Sequence, residues 1–252
     1  MNQSPIPPSG SMEPHGAQSQ PIFLLPRSVM TLAMILLVIH AAYEFSLDGG
    51  GKMQVWIWFG FIPARFFETG IQGGMLPLLW TPITHAFLHG SWVHVFMNVA
   101  WLAIFGTPIA HRYGGFVFLL IFLAGVLGGV AFYTVLELHS VSVLIGASGG
   151  VAGLTGAAMR FVFQPVLTKV NPETGEIVSL GRQLASFSQM WHDTRARVFT
   201  LFWLGINFAV PLYGFVVGTE GPMIAWQAHI GGFMVGLVLP DLIERIRLQS
   251  RS

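Results

Sequence analysis

The chain has 252 residues, of which 53% are hydrophobic and only 9% charged, with 21 Phe and 8 Trp. An average soluble domain carries roughly 25% charged residues, so 12 basic and 11 acidic side chains cannot cover this much apolar surface. A mean hydropathy of +0.66 and the absence of Cys exclude a disulfide scaffold and thiolate chemistry and argue against a nucleic-acid binder. What remains is an all-α polytopic membrane protein.

Residues 1–26 are rich in Pro, Ser and Gln and contain no apolar run, so they are expected to form a disordered cytoplasmic tail without a cleaved signal peptide. Residues 27–245 form the membrane domain. A bilayer-crossing helix needs about 20 apolar residues, and six segments qualify: Val29–Phe45, Trp92–Ala110, Phe116–Leu136, Gly146–Pro165, Val198–Val217 and Ile224–Ile243. Between the first two lies a long segment with short apolar pieces such as Val55–Ile62, interrupted by Gly60, Pro63, Gly70, Gly73 and Gly74. Its Trp content predicts an interfacial, membrane-embedded first loop. The stretch Val166–Arg197 carries charges of both signs and is expected to be a cytoplasmic loop without catalytic residues. Residues 246–252 close the chain as a second short tail.

Orientation follows from the basic residues. With the N-terminus inside, the inner side receives Arg27, Arg112, Arg160, Lys169, Arg182, Arg195, Arg197, Arg245, Arg247 and Arg251, and the outer side only Lys52 and Arg65. The positive-inside rule therefore predicts that both termini are cytoplasmic. Spans two, four and six then each begin at the outer face.

Polar groups within hydrocarbon are costly and are functional candidates by default. His94 and Asn98 stand one turn apart early in span two, Ser148 opens span four within GASGG (Gly146–Gly150), and His229 lies early in span six within AHIGG (Ala228–Gly232). All four share one depth below the outer face. Gly149 and Gly153 on span four, and Gly232 and Gly236 on span six, supply the small-residue spacing that lets two membrane helices approach closely. A Ser hydroxyl near an imidazole base is the arrangement of nucleophilic acyl transfer. His94, Asn98 and the Ser148 backbone N–H are suitable oxyanion donors. No Asp or Glu shares this depth on an even-numbered span, so a Ser–His dyad is expected.

The motifs HGSWVHVFMN (His89–Asn98), GASGG and AHIGGFMVG (Ala228–Gly236), in that order on spans two, four and six, resemble those of the rhomboid intramembrane serine proteases. The resemblance covers about residues 29–245 and implies a six-transmembrane-helix rhomboid-like bundle with a membrane-embedded first loop. It implies Ser148 as nucleophile, His229 as general base, and His94 and Asn98 as oxyanion donors. It further implies an endopeptidase that cleaves single-span membrane proteins in or near their transmembrane segments, without metal or cofactor. Its expected partners are transmembrane substrates and membrane lipid, and the bacterial inner membrane is the expected location. Oligomeric state is left open. Three positions depart from the family's habits: Trp80 is followed by Thr81 rather than Arg, Ala110 stands where many members have Glu, and Ala152 stands where some stack a Tyr on the catalytic His.

Two other readings compete. A metal or proton transporter could use His85, His89 and His94, but no carboxylate or Cys joins them and inverted repeats are absent. A catalytically dead relative would normally lack Ser148 or His229. His89 reads best as a structural tie between the first loop and span two, His40 and Glu44 as a possible pair, and Glu137 and His139 as solvated groups.

Overall fold

The computed structural model describes residues 25–217 and 225–249. Most of the tail expected over residues 1–26, the start of span six at Ile224, and residues 250–252 lie outside them. In chain order the helices are α1 (Arg27–Ser46), α2 (Gly49–Phe59), α3 (Trp92–Tyr113), α4 (Gly115–Leu136), α5 (Ser148–Met159), α6 (Phe187–His192), α7 (Thr194–Val217) and α8 (Trp226–Gln249). Among the described residues, α1, α3 and α4 are long and apolar enough to cross a membrane. Large apolar side chains lie on both their interior and their outward faces. Val29, Leu36, Phe118 and Ile121 face the interior, whereas Met30, Met34, Phe116 and Leu120 are exposed.

Helix α3 contains a π-helical turn, Leu102–Gly106, immediately before Thr107 and Pro108. Proline has no N–H to return to the preceding turn, and a local widening accommodates that loss. Helix α8 likewise carries Pro240 and runs to Gln249, past the boundary expected at residue 245.

Two sequence expectations need correction. The expected all-α fold includes a two-stranded antiparallel hairpin, β1 (Val166–Val170) and β2 (Ile177–Arg182), within the stretch expected to be a loop. Two runs rich in β-branched residues flank Asn171–Gly175, a turn-forming sequence, and that signal was readable. The fourth apolar segment is also shorter than Gly146–Pro165, since its helix covers only Ser148–Met159. Gly146 has a φ of 122°, which a helix cannot use, and the chain turns again after Arg160. At 1.5 Å per residue α5 is roughly 18 Å long, against roughly 33 Å for α4 and 36 Å for α8. Gly149 lies level with Gly129 of α4 and Ala228 of α8, so α4 runs on past the start of α5 to Leu136, whereas the extra length of α8 lies beyond Met159.

Those neighbours are held by glycine faces. Gly125, Gly128 and Gly129 on α4, Gly149, Gly153 and Gly156 on α5, and Gly231, Gly232 and Gly236 on α8 bring backbone against backbone. A Cβ added at Gly125 would lie 3.0 Å from the Gly153 Cα, and one at Gly129 would lie 2.7 Å from the Ala228 oxygen. Without a hydrophobic drive between helices in lipid, this close van der Waals contact is the main packing force.

At the other end of α5, Arg160 is buried and fully partnered. Its Nη1 and Nη2 bond Asp241 at 2.8 and 2.9 Å, its Nε bonds the Ala185 carbonyl at 2.9 Å, and Nη1 also bonds the Leu237 carbonyl at 2.6 Å. The guanidinium lies 4.3 Å from the Phe187 ring centroid. Nearby, Arg112 at the end of α3 pairs with Glu244 of α8 at 2.8 Å, joining the two helix ends beside Ala110. Asp193 starts α7 by accepting the backbone N–H groups of Arg195 and Ala196. Those bonds, the Ala196 N–H first, hold its carboxyl below the usual range.

Replacing Arg160 strands Asp241 and the Leu237 and Ala185 carbonyls. Breaking a buried pair costs about 3–5 kcal/mol, but the Asp241 side chain is 40% exposed. The expected loss for Arg160→Gln is therefore about 2–3 kcal/mol, read as a lowered melting temperature of the detergent-solubilised protein. An unchanged melting temperature would show that the pair does not hold α5 to α8.

Candidate active site

The segment leading to Ser148 is positioned by the first loop. The loop begins with α2, capped by Asp48, whose carboxylate accepts the Gly51 N–H at 2.8 Å. The last carbonyls of a helix lack intrahelical partners, and here three side chains supply them. Arg65 donates to the Ile57 oxygen at 2.5 Å, Trp80 Nε1 to the Trp58 oxygen at 2.7 Å, and Thr84 Oγ1 to the Phe59 oxygen at 2.7 Å. Where the family often places Trp-Arg, this chain thus keeps Trp80 and brings Arg65 to the adjoining carbonyl. Phe61 then pairs with Leu144 through two backbone bonds of 3.0 and 2.8 Å, which joins the loop to the strand-like approach to Ser148.

His85 and His89 continue that anchorage. The His85 carbonyl accepts the Gly146 N–H at 2.9 Å, and its own ring bonds the Thr81 carbonyl at 2.9 Å. His89 Nε2 accepts the Ala147 N–H at 3.4 Å, and its backbone N–H donates to the Tyr43 hydroxyl of α1 at 2.9 Å. Both rings are thereby engaged in tying backbone, and among the described residues no three metal-binding side chains gather. His40 bonds Tyr43 at 2.7 Å, while Glu44 pairs with Lys52 at 2.9 Å, so the His40–Glu44 pair does not form. Glu137 and His139 are also partnered, by Gln227 at 2.9 Å and Glu68 at 2.8 Å respectively.

Ser148 is the first residue of α5 and is half-buried, as are His94 and His229. The first N–H groups of a helix point outward unpaired, and the dipole there favours negative charge. Gly146 stands between Ser148 and His94: a Cβ built on it would lie 2.8 Å from His94 Nε2 and 3.7 Å from Ser148 Oγ. Only glycine fits there, for space and for its φ of 122°. Asn98 is buried one turn below His94 and donates to the His94 carbonyl at 3.0 Å, which leaves its second amide hydrogen uncommitted.

His229 reaches the same region from α8. Gly149, next to Ser148, would place a Cβ 3.5 Å from the oxygen of Ala228, next to His229. No Ser148–His229 hydrogen bond is formed among the described residues. The contact between α5 and α8 is set from both helices, since a Cβ at Gly156 of α5 would lie 2.3 Å from the Phe233 oxygen of α8. Methyl groups at Gly232 and Gly236 would overlap the Gly149 and Gly153 carbonyls, whereas the missing side chain of Gly153 faces Gly125 of α4 at 2.9 Å.

One polar residue at the site was not singled out from sequence. Asn207 of α7 is buried, and its Oδ1 lies 2.5 Å from His229 Nδ1. Its Nδ2 donates to the Trp203 carbonyl at 2.8 Å. An isolated Asn on an odd-numbered span gives no motif signal; only its position at the depth of the histidines could have suggested it.

A half-buried serine at a helix start, with an imidazole across Gly146 and a hydrogen-bonded His229–Asn207 pair on the adjoining helices, defines a class of integral membrane protein with a polar site in its interior. The Rhomboid domain family matches residues 77–245, and the chain belongs to that family. It is 25% identical over 191 residues to proteins named rhomboid protease GlpG from Yersinia pestis (strain Pestoides F) and Yersinia pseudotuberculosis serotype O:3 (strain YPIII). A GlpG of Yersinia enterocolitica matches at the same identity. These alignments cover 75% of this chain and 60% of each relative's length.

Valine at Gly232 would press against the Gly149 carbonyl and move α8 from Ser148. Overpacking costs about 1–3 kcal/mol, so Gly232→Val should lower the melting temperature and abolish fluorophosphonate labelling of Ser148. Gly205 on α7 has open space around its missing Cβ, and Gly205→Val should preserve both. Full labelling of Gly232→Val would show that this contact does not align the site.

Proposed function

We propose that the chain is an intramembrane serine endopeptidase that cleaves single-span membrane proteins in or near their transmembrane segments. The observation that supports this reading is that Gly146 lies against both the Ser148 hydroxyl and the His94 ring at the N-terminus of α5, while Gly149 meets Ala228, the neighbour of His229. Relatives named as rhomboid proteases support it.

The chemistry assigned to each residue is as follows. His229 takes the Ser148 proton as the hydroxyl oxygen bonds to the scissile carbonyl carbon. The resulting oxyanion accepts hydrogen bonds from the Ser148 backbone N–H, His94 and the free amide hydrogen of Asn98. The imidazolium then protonates the leaving nitrogen as the C–N bond breaks. Water, deprotonated by His229, attacks the acyl-enzyme, and Ser148 recovers its proton. No cofactor or metal enters this sequence. Six membrane crossings with both termini cytoplasmic complete the reading, with substrate arriving through lipid in a bacterial inner membrane.

Ser148→Ala should abolish cleavage of a reconstituted transmembrane substrate and end fluorophosphonate labelling, with the melting temperature unchanged. Labelling retained at another serine would overturn the assignment. Asn98→Ala should lower kcat more than it raises KM, because an oxyanion donor acts mainly in the transition state. Loss of one donor costs about 2.7–4 kcal/mol in a soluble protease; three donors share the charge here, so the expected fall in kcat is about 10–100-fold. A raised KM at constant kcat would make Asn98 a substrate-binding residue instead.

A further inference from the structure

The His229–Asn207–Trp203 chain allows a proton to be located. A backbone carbonyl only accepts, so the Asn207 atom 2.8 Å from the Trp203 oxygen must be the amide nitrogen. The other amide atom is then Oδ1, which also only accepts, and it lies 2.5 Å from His229 Nδ1. That ring nitrogen must therefore carry the hydrogen. In the neutral ring the lone pair is consequently on Nε2. We propose that Asn207 is a positioning residue that fixes His229 as the Nδ1–H tautomer and leaves Nε2 as the free base. Its effect on turnover rests on the protease reading above; the tautomer itself does not.

The surroundings make the bond part of a register. Helix α7 meets the bundle along a narrow stripe, Ala196, Thr200, Trp203 and Asn207, while Val198, Leu201, Phe202 and Ile206 are exposed. Trp203 stacks on Phe233 of α8 with centroids 4.6 Å apart and planes at 20°. Phe233 lies one turn after His229, and Asn207 one turn after Trp203. The two helices are thus joined by two successive rungs, one aromatic and one hydrogen-bonded. On α5, Ala152 offers no ring to cover the imidazole, so orientation is supplied from α7. Separation of α7 from α8 removes the acceptor from the base, which links docking of this helix to readiness of the site.

The test uses the full chain in detergent, as wild type, Asn207→Ala and Asn207→Asp. Histidine labelled with 15N reports the tautomer, with the His229 signal assigned by its loss in His229→Gln. Cleavage of a fluorogenic transmembrane peptide reports kcat and KM. The wild type should show a protonated Nδ1 and a bare Nε2. Asn207→Ala should show a mixture of tautomers and a kcat lowered about 10–100-fold, part of the about 10²–10⁴-fold that general-base catalysis contributes, with KM within about twofold. Asn207→Asp keeps an acceptor at the same place, so the Nδ1–H signal should persist and kcat should stay close to wild type at the alkaline end of the profile. A carboxylate there also favours the imidazolium, so the acid limb should move to higher pH. A wild-type ring protonated at Nε2, or an Asn207→Ala variant with unchanged tautomer and kcat, would overturn the proposal. If no form cleaves, yet the Nδ1–H signal is present in the wild type and lost in Asn207→Ala, the tautomer assignment stands and the protease reading falls.

Discussion

Backbone contact among α4, α5 and α8 is the constraint on which the rest depends. Gly125 meets Gly153, and the missing side chains of Gly232 and Gly236 make room for the Gly149 and Gly153 carbonyls. In lipid, apolar side chains gain little by leaving one apolar neighbour for another, so affinity between helices comes from close approach. A short helix enclosed by two longer ones is the result. Ser148 lies below the end of α4, which runs on to Leu136, and near α8 because nothing larger than hydrogen stands between their backbones.

Packing alone would leave the start of α5 loosely held, since residues 137–147 between α4 and α5 form no helix. The first loop supplies the missing restraint. It pairs with Leu144 through Phe61, holds the Gly146 N–H with the His85 carbonyl, and engages the Ala147 N–H with the His89 ring. The loop is itself anchored by Arg65, Trp80 and Thr84 on the last carbonyls of α2. A segment outside the central helices therefore determines the approach to Ser148.

The long apolar helices were legible because length and hydropathy report the bilayer directly, and α1, α3 and α4 fall close to their expected limits. Ser148, His94, Asn98 and His229 stand out in the sequence as candidates because polar groups are rare within apolar runs and these four are expected at one depth. The hairpin was legible only in its turn, Asn171–Gly175, because both strands are exposed along their whole length and show no alternation. The α4 glycines were missed because Gly125, Gly128 and Gly129 lie in a run whose hydropathy alone explains it. Asn207 could not be read because its significance lies in pairing with a residue of another helix, and one sequence carries no pairwise information. The departures at Ala110 and Ala152 are likewise answered from elsewhere in the chain. Arg112 and Glu244 join the helix ends beside Ala110, and Asn207 holds the ring that Ala152 cannot cover.

Five polar residues of the helices share one pattern. Asn98 bonds the His94 carbonyl at 3.0 Å and Asn207 the Trp203 carbonyl at 2.8 Å. Thr107, Thr134 and Thr155 bond the Ala103, Val130 and Val151 carbonyls at 2.6, 2.8 and 2.9 Å. Each partner is the residue four positions earlier on the same helix. Such back-bonding slightly weakens a helix in water, but in hydrocarbon an unpaired group costs several kcal/mol. A helix that satisfies its own polar side chains can enter the bilayer before any neighbour arrives. For threonine the hydroxyl hydrogen is then used. Asparagine has more to offer: after the back-bond, Asn98 keeps an amide hydrogen and Asn207 keeps its carbonyl oxygen. Those are the two functions the proposed chemistry needs, a donor on the oxyanion side and an acceptor behind the base. The residue type that is tolerable in an isolated membrane helix, and still has bonding capacity once the helices assemble, is the one found at both places.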